Sequence, residues 1–183
     1  MKKLILGIAI LFCAHAAFAA TPLRNGLYIN GKAGIMRSEV KAKSQSAKDI
    51  VFPMALALGM RVYHFRVEGE YTFATKVEKN NFEAQTELTM GQVYYDVPFK
   101  TSIRPFFNVG AGRHTTKVKL GDSFNETRRG WAYNLGAGFT WGISNATNID
   151  IGYRYIRIKD IKAQDETIKP SGHMAYIGWR YVF

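Results

Sequence analysis

The chain has 183 residues, a single cysteine and a formal net charge of +11. That length fits one domain, and one cysteine excludes an internal disulfide framework. After Ala19 no apolar run is long enough for a spanning helix, so a membrane reading must rest on strands.

Met1 to Ala19 reads as a secretory signal. Lys2 and Lys3 supply the positive start, Leu4 to Ala14 the apolar core, and Ala17-Phe18-Ala19 the small residues that precede cleavage before Ala20. The expected organisation is a cleaved signal over 1–19 and one domain over 20–183. Cys13 falls inside the signal behind Leu11-Phe12, without the small residues that lipidation requires. Loss of Lys2 and Lys3 leaves a mature charge of +9. Export also removes nucleic acid from the partners that a basic chain suggests.

The mature chain then alternates with period two, the mark of strands. Leu27, Ile29, Gly31, Ala33 and Ile35 lie opposite Tyr28, Asn30, Lys32 and Gly34, and Ser38 to Asp49 reads as a polar loop. Met54 to Val62 sets alternate apolar residues against Ala55, Ala57, Gly59 and Arg61, and Tyr63-His64 makes a tight link. Phe65, Val67, Gly69, Tyr71 and Phe73 oppose Arg66, Glu68, Glu70 and Thr72, and Lys76 to Asn81 reads as a loop.

The segment Phe82 to Tyr95 has the least distinct parity. Ala84, Thr86, Leu88 and Met90 suit an outer face, which puts Gln92 there too unless it sits at a membrane edge or a bulge resets the register. Asp96 to Arg104, with Pro98, reads as a turn. Phe107, Val109 and Ala111 oppose Phe106, Asn108, Gly110 and Gly112, followed by a long basic loop from Arg113 to Arg129. Tyr133 to Trp141 alternates with Ala132, Asn134, Gly136, Gly138 and Thr140 before a Ser144-Asn145 turn. Ile149, Ile151, Tyr153 and Tyr155 oppose Asp150, Gly152, Arg154 and Ile156, and Lys159 to Ser171 is the last long loop. Gly172 to Phe183 closes the chain with Ala175, Ile177, Trp179, Tyr181 and Phe183 on one face.

Eight such segments, joined alternately by long polar and short connections, predict an all-β fold: an eight-stranded antiparallel up-and-down transmembrane β-barrel with short periplasmic turns and longer extracellular loops. Aromatics near the segment ends (Phe65, Phe73, Trp141, Tyr155, Trp179 and Phe183) suit interfacial girdles, and inward glycines suit a narrow lumen. Gly152-Tyr153-Arg154-Tyr155 and Gly178-Trp179-Arg180-Tyr181-Val182-Phe183 resemble the last two strands of small outer-membrane surface proteins. Tyr94-Tyr95-Asp96-Val97, Arg104-Pro105-Phe106-Phe107 and Gly110-Ala111-Gly112 are similar to the middle of the same family, which includes opacity-type adhesins and OmpX- or OmpA-like barrels. The resemblance implies the bacterial outer membrane. It also implies an assembly signal, Gly178-x-x-Tyr181-x-Phe183, read by the barrel-assembly machinery. It says little of function, because such barrels differ mainly in their loops.

Inward parity gathers Lys32, Arg61, Arg66, Glu68, Glu70, Asp150, Arg154 and Arg180 into one sector of wall. Eight strands leave no continuous channel, so these charges read as a plug of salt bridges, with a small pore as the alternative. All four long connections are net basic. Their strongest excess, +3, lies between Arg113 and Arg129, where Lys117, Lys119, Arg128 and Arg129 are candidates for binding a polyanion. The expected role is therefore a monomeric surface protein with a structural or adhesive function. Its loops would meet outer-membrane lipid, lipopolysaccharide, and host glycans or proteins. A lipid-modifying enzyme would need a histidine and a serine or carboxylate together. His114 and Ser123 share a loop, but nothing in the sequence orients them as a pair. No catalytic, cofactor or metal site is expected: His64, His114 and His173 lack ligand spacing, and the Gly-Ala-Gly runs open no helix.

Overall fold

The computed structural model describes residues 24–41, 46–74, 77–79, 82–120, 124–159, 161–163 and 166–183. The signal expected over 1–19 lies outside the described residues. The strands are β1 (Gly26–Lys41), β2 (Ser46–Val51), β3 (Pro53–Val62), β4 (Phe65–Ala74), β5 (Val77–Lys79), β6 (Phe82–Asp96), β7 (Ile103–Leu120), β8 (Phe124–Gly142), β9 (Thr147–Ile158), β10 (Ile161–Ala163) and β11 (Glu166–Val182). Eight staves result, because β2, β5 and β10 extend β3, β4 and β9 at one end of the barrel. Neighbours in sequence pair antiparallel, and β11 returns to β1 from Tyr28 opposite Val182 to Lys41 opposite Lys169. The closed ladder leaves no wall edge in hydrocarbon, where each unpaired backbone group would cost several kcal/mol.

Burial is inverted relative to a water-soluble protein. Leu58 is 71% exposed and Leu135 63%, whereas Arg66 is 0% and Arg154 and Arg180 are each 1% exposed. Alternation therefore puts apolar side chains outward and charge inward, as predicted for most of the wall. The inward glycines act as seats for large side chains. Tyr28 lies directly across from Gly59, Tyr176 from Gly152 and Phe106 from Gly138. A Cβ at Gly152 would come within 2.5 Å of the Tyr176 ring, closer than packed atoms allow. His114 over Gly130 and Asn108 over Gly136 repeat the pattern.

Three expectations are corrected. The connections read as loops are largely strand: β1 runs on to Lys41 and pairs with β2, β5 pairs with β6, and β10 pairs with β11. The basic stretch from Arg113 to Arg129 is a hairpin in which β7 and β8 stay paired as far as Leu120 opposite Phe124. Polar side chains masked these strands, because above the bilayer neither face must be apolar. In β6, Leu88 and Met90 point inward, together with Gln92, and no bulge is needed: the register runs unbroken from Phe65 opposite Tyr95 to Phe73 opposite Glu87. The lumen has an apolar layer at that height, so the usual rule of polar inside fails there. Finally, Asp96 belongs to the end of β6 and is fully buried, not part of the turn.

Candidate functional site

Two regions carry chemistry: the charged lumen and the basic end of the barrel. In the lumen Lys32 from β1 bridges two carboxylates of β4, its Nζ lying 2.5 Å from Glu68 Oε2 and 2.5 Å from Glu70 Oε2. Arg154 from β9 grips Glu70 from the other side, with Nη1 and Nη2 donating to its two oxygens at 2.6 and 3.2 Å. Tyr94 Oη accepts from both cations at 3.0 Å.

A second group lies nearer the short turns. Arg66 donates from Nε and Nη2 to Asp96 Oδ1 at 3.1 and 2.8 Å, and from Nη1 to Asp150 Oδ2 at 3.1 Å. Arg61 Nη1 sits 2.8 Å from Asp96 Oδ2, a charge contact outside hydrogen-bond angles. Arg180 reaches Asp150 Oδ1 at 3.3 Å, and Thr140 donates to the same oxygen at 2.7 Å. Asn30 links the two groups by donating to Glu68 and Asp150, each at 3.3 Å. Guanidinium–ring contacts complete the packing: Arg66 over Tyr94 at 4.4 Å and Arg154 over Tyr176 at 4.7 Å.

All eight inward charges expected from the sequence thus meet in one network along β9, β11, β1, β3 and β4. The sequence reading missed Asp96, hidden in an apparent turn, and Tyr94 and Gln92, hidden by the ambiguous parity of β6. The pairing of Arg66 with Tyr94 across β4 and β6 is the signal that a correct register would have supplied. Above the charges Leu88, Met90, Ile156 and Met174 close the bore as an apolar layer. They themselves line a cavity of about 10 Å³ that also touches Glu70 and Arg154, with room for roughly one water.

Of the expected assembly residues, Gly178 lies at the level of the charged network, opposite Lys32 and Asp150, and Tyr181 and Phe183 lie at the end of the chain. Both are exposed on the outer wall, with their rings 5.5 Å apart. Of the expected polyanion-binding residues, Lys117 and Lys119 lie on β7 and Arg128 and Arg129 on β8; Arg129 pairs with Thr115 and is exposed. His114, expected in a loop with Ser123, is on β7. It is buried on the lumenal side of β7, with Thr116 Oγ1 3.4 Å from its Nδ1, and Ser123 lies outside the described residues. His173 is on the outer wall, hydrogen-bonded to Tyr153 Oη.

The model for the outer membrane protein beta-barrel domain matches residues 4–183, and the chain belongs to that family. With the closed eight-stave wall, this places it in the bacterial outer membrane. Neisserial surface protein A shares the fold at 19% identity and a TM-score of 0.71, over 86% of this chain and 97% of that one. OprG of Pseudomonas aeruginosa does so at 12% and 0.59, over 88% and 98%. Ail, the attachment invasion locus protein of Yersinia pestis, does so at 17% and 0.53, over 85% and 99%. No curated protein sequence matches the chain.

Proposed function

We propose that this barrel is a non-enzymatic surface interaction protein whose basic extracellular hairpins bind polyanionic glycans. The observation that carries this reading is the charge of the hairpin between Lys117 and Arg129, where Lys117, Lys119, Arg128 and Arg129 stand against Asp122 and Glu126, for a net +2. Strand pairing carries that charge beyond the membrane on β7 and β8. A fixed positive field at the barrel mouth attracts polyanions over about 8 Å at physiological salt. The phosphate-bearing core of lipopolysaccharide is the nearest, and sulfated host glycans are the next. Ail has been crystallised with the heparin analogue sucrose octasulfate. That ligand is Ail's; the case for this chain rests on its own charges. The filled lumen speaks against the alternative of a small pore, and the surroundings of His114 and His173 offer no support for a lipid-modifying enzyme.

The test is heparin affinity of the purified, refolded barrel. Binding should weaken steeply with salt and fall away when Lys117, Lys119, Arg128 and Arg129 are all replaced by Gln, while the SDS-gel mobility change on boiling is retained. Equal heparin and host-cell binding by the quadruple variant would refute the reading.

A further inference from the structure

A second group of cations lies lower and faces a different medium. Trp131 of β8 is outward and exposed. Arg113 is its register partner on β7, and its guanidinium stands 5.4 Å from the indole centroid. On the other side the Lys159 N–H donates to the Trp131 carbonyl at 2.8 Å, so Lys159 continues β9 beside the ring. Arg157 pairs with Tyr133, one outward position below Trp131. Arg113, Arg157 and Lys159 are all exposed on the outer wall, and Arg129 stands one outward position above Trp131. Among the described residues of β6, Glu87 lies opposite Thr115 and is hydrogen-bonded to Tyr71.

Depth decides what this cluster meets. Trp131 and Trp141 are ten residues apart on the outward face of β8. At ~3.3 Å per residue and a tilt of ~40°, they stand about 25 Å apart along the membrane normal, the height of the apolar band of such barrels. The two indoles therefore mark the two interfaces, and Arg113, Arg157 and Lys159 lie at the headgroup level of the outer leaflet. All three stand at outward positions, on the lipid side of the wall and not in the lumen. Arg113 laid against an indole keeps its N–H edge free for an oxyanion, which a guanidinium can engage with two parallel bonds.

We propose that Arg113, Arg157 and Lys159, gathered around Trp131, form a lateral site for the phosphate groups of a glycolipid in the outer leaflet. The acyl chains would lie along the apolar wall beneath, against Leu135 and Tyr153. This site goes beyond the glycan reading of the hairpins: it has a different depth, a different ligand and, apart from Arg129 at its upper edge, different residues.

The experiment uses the full barrel with Trp141 and Trp179 replaced by Phe, leaving Trp131 as the sole tryptophan. It is placed in phosphatidylcholine nanodiscs and titrated with diphosphoryl lipid A, with dephosphorylated lipid A, and with inorganic phosphate. Trp131 emission should respond to the phosphorylated lipid far more than to either control. The R113Q/R157Q/K159Q variant should weaken that response about fivefold per cation removed, on the order of a hundredfold for all three. It should still elute from heparin like the parent, whereas K117Q/K119Q/R128Q should lose heparin binding and keep the lipid response. R113Q alone is measured if the triple variant does not reach the heat-modifiable folded form, and it should show the single-cation loss. The proposal is overturned if the wall variants bind phosphorylated lipid as tightly as the parent. It is equally overturned if dephosphorylated lipid or free phosphate matches the phosphorylated lipid.

Discussion

Replacing Glu70 with Ala tests whether the lumenal network holds the barrel together or merely fills it. Glu70 is 2% exposed and lies between Lys32 at 2.5 Å and Arg154 at 2.6 Å, with Thr72 donating to it at 3.2 Å. Its removal leaves two buried cations sharing fewer acceptors. Breaking a dry buried pair costs about 3–5 kcal/mol. Each cation here keeps a partner, Lys32 through Glu68 and Arg154 through Tyr94, so the lower end, ~3 kcal/mol, is expected. At a urea slope of roughly 2 kcal/mol per M, the unfolding midpoint in lipid vesicles should fall by about 1.5 M. Glu70→Gln, which keeps one accepting oxygen but loses the charge and the second acceptor, should fall between variant and parent. Arg180→Met should lose less than Glu70→Ala, because Arg180 holds Asp150 at only 3.3 Å while Arg66 and Thr140 remain on that carboxylate. An unchanged midpoint for Glu70→Ala would show that the network contributes no stability and would sink the reasoning.

Gly152→Ala should destabilise the barrel by about 1–3 kcal/mol through overpacking against Tyr176, and the loss should largely vanish in a Tyr176→Ala background. Deleting Phe183, whose N–H donates to Leu27 at 2.9 Å and whose ring is exposed in the periplasmic girdle, should reduce outer-membrane insertion far more than Val182→Ala, a change on the lumenal side. Equal insertion of the two variants would remove Phe183 from the assembly signal. In planar bilayers the parent should give no discrete conductance steps, and steady steps would refute the reading of the lumenal charges as a plug.

How much was legible in the sequence follows from where the two solvents differ. Between the girdles every outward position meets hydrocarbon and most inward positions meet charge, so Leu27 to Ile35, Met54 to Val62 and Ala175 to Phe183 announce both strand and facing. Beyond the girdles water covers both faces. The alternation fades at Lys117 and Lys119, and strands look like loops although the backbone pairing continues. The lumen fails in a narrower way. Leu88 and Met90 belong to an inner apolar layer with Met174 and Ile156, and only tertiary packing tells that layer from the lipid face. Asp96 was lost because a charge beside Pro98 reads as a turn, although His64 accepts its backbone N–H at 2.7 Å and keeps it in the sheet. The polyanion and lipid sites were legible only as charge. Their separation into two depths needed the register of β7, β8 and β9.

That register would also let the two proposed sites act independently. Arg113 and Lys117 are on the same strand, four residues apart, with the pairing unbroken between them. Four residues of extended chain span about 13 Å, more than the ~8 Å over which exposed charges act on each other at physiological salt. On the two proposals, the cluster around Trp131 would answer to lipid phosphates and the tip of the hairpin to what lies above them. Arg129, opposite Thr115, sits between the two and within about 7 Å of each along the strand, so it is left unchanged in the variants that separate them. A stiff paired hairpin holds this spacing, where a loose loop would fold its lysines back onto the headgroups and merge the two fields. Pairing above the bilayer, invisible in the hydropathy pattern, is thus what would allow one small barrel to serve both proposed sites at once.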